Sequence, residues 1–252
     1  MNYYKCDYII TNTREITSLA LLDNPNIASV SVDNSIKIWE ISIKNYSCSF
    51  TINRALHERI NKVILISQNR FASCSNDATI KIWHNSFQKK YKVISSLSGH
   101  RSPVTSIIEI KKGLLSSSLD YQIKLWNLNT FQCERDVSTN TTCVDSNIFT
   151  SLNESILMFI TKSQIGTINK DTFEIVKRDL TIKTKSIAKL SNDTVVLGCE
   201  EGAVCIYNID SNEISDYQSN PHKGDINEIT TFNKEAFVTI GANTINIWKY
   251  KI

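Results

Sequence analysis

Ala28–Ile41 reads ASVSVDNSIKIWEI, Ala72–Trp83 reads ASCSNDATIKIW and Leu115–Leu128 reads LSSSLDYQIKLWNL. All three run through small residues and an acidic turn position into Ile-Lys-Ile/Leu-Trp, and Trp39, Trp83 and Trp126 stand 44 and 43 residues apart. A fixed period of this length decides the architecture before local propensity does, because each unit must bury its apolar face against a neighbouring copy. Weaker copies continue the series at Leu157–Ile168 (LMFITKSQIGTI), Val196–Tyr207 (VLGCEEGAVCIY) and Phe237–Trp248 (FVTIGANTINIW). The aromatic slot then holds Trp39, Trp83, Trp126, Ile168, Tyr207 and Trp248, six copies at intervals of 39 to 44 residues.

Within each copy two short β-rich runs flank a tight turn, as in Ile27–Val32, Asp33-Asn34 and Ile36–Ile41. Asn and Asp tolerate the positive φ of such turns, which suits a chain with only seven Gly. The second run is apolar on both pleat faces, Ile36 and Ile38 on one, Trp39 and Ile41 on the other. A strand of that kind is sandwiched between neighbouring sheets.

A further strand-like run begins at Tyr46-Ser-Cys, Tyr91-Lys-Val, Phe131-Gln-Cys, Phe173-Glu-Ile and, more weakly, Asn212-Glu-Ile, and Tyr4-Lys5-Cys6 matches it at the N-terminus. The sequence ends just after the last Trp run. The expected fold is therefore all-β, a single closed β-propeller of six four-stranded blades over 1–252, with the N-terminus supplying the outer strand of the last blade. Closure of this kind leaves only short blade edges exposed. The repeat cores fall at about 16–41, 60–83, 104–128, 143–169, 186–209 and 226–250. Seven blades are the alternative, but the stretch from Trp126 to Tyr207 holds two repeats and not three.

Composition excludes several classes. Hydrophobic residues at 41% and charged residues at 21% describe an ordinary globular chain. A net charge of +3, from 28 Lys and Arg against 25 Asp and Glu, gives no drive toward nucleic acid or an anionic membrane, so neither is an expected partner. Seven cysteines without a C-x-x-C pair point to a reducing, intracellular setting, cytoplasmic first, with nucleus or cilium open. The N-terminus lacks the basic and apolar segments of a secretory signal, and no apolar run approaches the ~18 residues of a spanning helix. The four histidines lie apart from one another and the Gly residues form no phosphate loop, so neither metal nor cofactor is expected.

The whole chain resembles the WD-repeat family, with Gly99-His100, Asp120 and Trp126 its best single match. The resemblance implies a hydrogen-bonded tetrad inside a blade, made of the Gly-His histidine, a strand Ser or Thr, the turn Asp and the strand Trp. His57, His100 and His222 each fall 20 residues before the turn slot, held by Asp77, Asp120 and Ala242. The second blade would then use His57, Ser75, Asp77 and Trp83, and the third His100, Ser118, Asp120 and Trp126. Ser73 and Ser116 are open as the strand serine. A fully satisfied network of this kind is structural. The sequence departs from the family pattern at Lys162, Glu201 and Ala242 in the turn slot, and no Trp is followed by Asp.

The same resemblance places the partner-binding face at the ring end where the His and Asp loops meet, and loops on a rigid frame are where binding resides. The residues expected there are Glu15, Thr17, Arg59, Asn61, Asn76, Arg101, Pro103, Thr105, Glu200, Asp225 and Asn227, a rim of mixed sign suited to a peptide or protein loop. The function expected is a noncatalytic protein–protein scaffold of monomeric propeller form, organising a larger complex through that face and its blade edges. The alternatives are a peptide- or substrate-recognition module, such as the receptor arm of a ubiquitin ligase, and an enzyme with a site in the central channel.

Overall fold

The computed structural model describes residues 14–22, 26–41, 46–66, 69–86, 90–139, 148–219, 222–233, 236–241 and 244–249. Antiparallel hairpins follow one another in six sheets. The first blade is β1 (Ile16–Leu21), β2 (Asn26–Ser31), β3 (Ile36–Ile41) and β4 (Tyr46–Ile52); the second is β5 (Ile60–Ile66), β6 (Arg70–Ser75), β7 (Thr79–Ser86) and β8 (Lys90–Ser98). The third is β9 (Val104–Ile110), β10 (Gly113–Ser118), β11 (Gln122–Trp126) and β12 (Cys133–Ser138); the fourth is β13 (Phe149–Ser151), β14 (Ile156–Ile160), β15 (Gln164–Asn169) and β16 (Ile175–Asp179). The fifth is β17 (Thr184–Lys189), β18 (Thr194–Cys199), β19 (Val204–Asn208) and β20 (Glu213–Gln218), and the sixth is β21 (Ile226–Asn233), β22 (Ala236–Gly241) and β23 (Ile245–Lys249). Each sequence copy maps onto the two middle strands of a blade. Six sheets, not seven, make the β-propeller.

Packing between blades explains why the third strand of each is apolar on both faces. Ala28, Val30, Ile36 and Ile38 of the first blade pack on Ile60, Val63, Phe71 and Trp83 of the second. Ala72, Cys74, Ile80 and Ile82 repeat the arrangement against Val104, Ile107, Leu114 and Trp126 of the third, and Val196, Val204 and Ile206 against Ile226, Ile229 and Phe237 of the sixth. The third, fourth and fifth blades share one continuous cluster. Fully burying one such aliphatic side chain contributes about 1.5–3 kcal/mol, so these joints hold the ring together. At the joint of sixth and first blades the corresponding Ile247 and Leu19 are 72% and 63% exposed. The closing strand expected from Tyr4-Lys5-Cys6 lies outside the described residues, as does Ala242.

Polar stitches reinforce the apolar joints. Thr17 Oγ1 donates to Ile60 O, Asn61 Nδ2 to Val104 O (2.8 Å) and Ser186 Oγ to Ile226 O (2.9 Å), in each case from the inner strand of one blade to the first residue of the next blade's inner strand.

The turns between second and third strands depart from expectation. Asn34 has φ 66°, but Ala78, Tyr121 and Glu201 adopt the same left-handed conformation with φ of 64°, 65° and 60°. A side chain there costs on the order of 1–2 kcal/mol. In the first three blades the preceding carboxylate offsets it: Asp33, Asp77 and Asp120 each accept, through Oδ1, the backbone N–H two residues on, of Ser35, Thr79 and Gln122, at 3.0 Å.

Candidate functional site

The third blade contains a complete tetrad. His100 Nδ1 lies 2.8 Å from Asp120 Oδ2 and Nε2 lies 2.7 Å from Ser116 Oγ, while Trp126 Nε1 donates to the same Ser116 Oγ at 2.8 Å. One proton order satisfies every atom: indole N–H to serine oxygen, serine O–H to Nε2, and Nδ1–H to the carboxylate. That order requires a neutral imidazole. Burial holds the His100 pKa below the ordinary histidine value although Asp120 pulls the other way. Asp120 is held below the usual carboxylate range; burial opposes this, and the Arg101 N–H and His100 overcome it.

The serine is Ser116 and not Ser118. Ser118 Oγ instead donates to Ser102 O at 2.9 Å and accepts the Asp120 N–H at 3.1 Å, anchoring the loop. The second blade repeats this correction. Trp83 Nε1 donates to Ser73 Oγ at 2.9 Å, whereas Ser75 Oγ donates to Glu58 O at 3.1 Å.

His57 is not a tetrad member either. Its side chain is exposed, and its backbone N–H donates to Asp77 Oδ2 at 2.9 Å, as the Arg101 N–H does to Asp120 Oδ2 at 3.0 Å. His57 therefore corresponds to Arg101, and the buried Leu56 stands where His100 stands in the third blade. The cause is one residue of hairpin length. Residues 67–69 separate the paired Ile66 and Arg70 of β5 and β6, where only Lys111 and Lys112 separate Ile110 and Gly113 of β9 and β10.

The sixth blade builds a tetrad without a carboxylate. His222 Nε2 meets Thr239 Oγ1 at 2.6 Å, Nδ1 meets Thr244 Oγ1 at 2.5 Å, and Trp248 Nε1 donates to Thr239 Oγ1 at 2.8 Å. Burial lowers the His222 pKa. Gly202, at φ 84°, lets the His222 carbonyl approach to within 2.2 Å of where a Cβ would stand. In the fourth blade the tetrad is replaced by packing: the Phe159 ring fills the space over Gly166, 2.5 Å from the position of an added Cβ.

At the tetrad end of the ring the remaining site residues divide. Arg59, Glu15 and Arg101 are exposed, and Arg59 Nη2 lies 3.6 Å from Glu15 Oε1. Asn76 and Pro103 are half-buried, their loops fixed by Asn76 N–H to Arg59 O at 2.9 Å and Leu119 N–H to Pro103 O at 3.0 Å. Glu200 lies 3.4 Å from Lys162 and 3.6 Å from Lys183, Asp225 lies 3.5 Å from Lys185 and accepts the Glu201 N–H, and Asn227 is exposed. Thr105 does not face a partner: it is 6% exposed and its Oγ1 bonds Ser117. Thr17 and Asn61 are turned to blade stitching, and Asn61 also donates to Asn76 Oδ1 at 2.8 Å. Asn61→Ala is accordingly expected to lower stability in urea denaturation by about 1–2 kcal/mol. A loss below about 0.5 kcal/mol would show the joint does not depend on it.

Sequence reasoning missed Ser29, whose Oγ accepts from Trp39 Nε1 at 2.8 Å, and Thr239 and Thr244. The signal was present: Ser29, Ser73 and Ser116 each precede their Trp by 10 residues. It also missed Lys62 on β5, whose Nζ donates to Ser106 Oγ at 3.3 Å and whose pKa burial pushes down to about 8, against the pull of Cys74 and Glu228. Among the described residues no group of three or more His, Cys, Asp or Glu could hold a metal ion, and no helix is long and apolar enough to cross a membrane.

No curated protein matches the chain. The family model for the WD domain, G-beta repeat, matches residues 5–40, 47–84 and 91–127, which takes in the first three Trp-bearing copies. Three further sheets of the same antiparallel build follow them, the last with its own His-Thr-Trp bonds, so the chain is a six-bladed β-propeller that over its first half is similar to the WD domain, G-beta repeat family.

Proposed function

We propose that the chain is a noncatalytic interaction scaffold that organises a multiprotein complex within a reducing, intracellular compartment, meeting partners with the tetrad end of its ring and with blade edges. WD-repeat propellers are generally modules of protein interaction and typically noncatalytic. The observation that carries the reading is the division of labour at the tetrad end. Ser116, His100 and Asp120 have the connectivity of a hydrolytic triad, but Ser116 is fully buried and its oxygen already receives the Trp126 N–H, so no substrate carbonyl can approach it. The charged side chains of Arg59, Glu15 and Arg101 meanwhile stand in solvent on loops tied down by backbone bonds. Rigid loops present a contact surface without the entropic cost of ordering it on binding.

The test is an Arg59→Glu, Arg101→Glu variant, tagged and compared with the wild type for co-purifying proteins by quantitative mass spectrometry. Both positions are exposed, so the fold is expected to be unchanged within about 0.5 kcal/mol. Loss of a discrete partner set is the expected result. An unchanged set would remove the tetrad end from the reading.

A further inference from the structure

Four of the five described outer strands carry a β-bulge. One extra residue stands beside the partner of the aromatic slot in β4, β8, β12 and β20, at Ser49, Ile94, Glu134 and Ser215. A bulge of this kind twists an edge away from further pairing. In the fourth blade the slot holds Ile168 in place of Trp or Tyr, and β15 pairs with β16 from Ile168↔Ile175 to Gln164↔Asp179 without a shift. The outer edge of β16 is therefore regular. Asn169 N–H donates to Glu174 O and Leu180 N–H to Ser163 O, so by the same alternation Val176 and Arg178 spend their main-chain groups on β15. Those of Ile175, Lys177 and Asp179 point outward from the last strand of the sheet.

A cavity of about 270 Å³ adjoins this edge, on the face turned to the fifth blade. Met158, Ile165 and Val176 of the fourth blade line it together with Tyr207 and Ile209 of the fifth, and Val176 is 56% exposed. Arg178 completes the lining. Its side chain is exposed and has no acidic or hydrogen-bonding partner among the described residues; its charge acts on the Tyr207 hydroxyl, pulling that pKa down against the larger upward push of burial. Lys177, on the opposite face of the strand, is engaged elsewhere, donating to Ser138 O at 2.9 Å. Residues paired across two strands share a face, so a strand added to β16 would hold the side chains opposite Val176 and Arg178 over the cavity. The apolar wall selects an apolar residue at the first of these positions, and the unpaired guanidinium selects a carboxylate at the second.

We propose that the β16 edge takes a segment of a partner protein as an added antiparallel strand of pattern acid-x-apolar, its carboxylate on Arg178 and its apolar side chain in the cavity beside Val176. The site rests on the blade-edge part of the scaffold reading and is independent of the tetrad end. The test uses the full chain in isothermal titration calorimetry at pH 7 with acetyl-Thr-Thr-Glu-Thr-Leu-Thr-Thr-amide. Two further peptides carry Gln in place of Glu, or an N-methyl group on the Thr between Glu and Leu, whose N–H would donate to Lys177 O. The Glu peptide is expected to bind about fivefold more tightly than the Gln peptide, the size of one solvent-rimmed ion pair. The N-methyl peptide is expected to bind at least about tenfold more weakly, since it lacks a ladder bond and clashes with the edge. Arg178→Gln, an exposed position, should erase the difference between Glu and Gln, and Arg59→Glu with Arg101→Glu should change no peptide affinity. If that double variant loses co-purifying proteins or keeps them all, the peptide titrations are unaffected, so the two sites succeed or fail separately. Absence of binding at about 1 mM, equal binding of the Glu and Gln peptides, or a Glu preference that survives Arg178→Gln overturns the proposal. Indifference to N-methylation also overturns it, because the guest would then be held by side chains and not as a strand. A chain that sediments as a dimer and takes up the peptide only on dissociation overturns it in favour of a second copy on the same edge.

Discussion

His100→Ala is expected to destabilise the protein by about 3 kcal/mol, whereas His57→Ala changes stability by less than about 0.5 kcal/mol. The two histidines have the same spacing to an aspartate, and their environments differ completely. Removing the His100 ring strips Asp120 Oδ2 of one partner and Ser116 of its acceptor inside a closed blade, leaving Asp120 with the Arg101 and Gln122 N–H groups. Breaking a buried paired network of this kind costs about 3–5 kcal/mol when one partner is lost, and the surviving backbone bonds place this case at the low end. For a chain of this size, 3 kcal/mol lowers Tm by about 6–12 °C. Thermal and urea denaturation of the two variants side by side check it, and equal effects would refute the assignment of Leu56, not His57, to the tetrad slot.

Lys62→Met is expected to stabilise the protein by about 2 kcal/mol at pH 7, with the gain disappearing as pH rises. Folded Lys62 titrates near 8, against the ordinary lysine value of 10.5. Between those values the unfolded chain binds more protons than the folded one, so wild-type stability rises with pH across that window, and below pH 8 the full cost of burying the ammonium is present. The difference in pKa corresponds to about 3 kcal/mol, which the side chain's partial contact with solvent reduces to about 2. The charged or titratable neighbours acting on the amine are Cys74, itself pushed up to about 12 by burial, and Glu228, whose carboxylate favours the ammonium. Urea denaturation of both proteins at pH 7 and pH 10 gives the measurement. A gap that stays constant with pH would mean that Met simply packs better than Lys, and that no charge is being relieved.

The ring was legible from sequence because its signal is repetitive. A Trp preceded by Ile-Lys-Ile/Leu and by a turn Asp recurs at the period of a blade, and even the degenerate copies at Leu157–Ile168 and Val196–Tyr207 keep the apolar alternation that burial between blades demands. Individual site residues were less legible, since contacts depend on register as well as on spacing. One additional residue between β5 and β6 kept the interval from His57 to Asp77 while moving the histidine out of the blade. Ser116 and Ser118 both lie on β10 and differ only in whether the indole can reach them. Thr17, Asn61 and Thr105 have the composition of a rim, yet their donors turn inward to carbonyls that a linear reading cannot see. Lys62 gave no signal, because a lysine in an inner strand resembles one on a solvated face until the neighbouring blades are in place.

The left-handed turns carry a consequence for how such a ring diversifies. Because the aspartate carboxylate closes the turn by itself, the residue after it is released from any demand for glycine, and the first three blades carry Asn34, Ala78 and Tyr121 there on nearly identical backbone. Tyr121 stands 48% exposed. Asn34 also donates from its side chain to His57 O, but the tips at Ala78 and Tyr121 are interchangeable display positions: a substitution there alters what the surface offers to a neighbour while the carboxylate bonds that hold the turn are left alone, so new surface chemistry can accumulate blade by blade without renegotiating the fold.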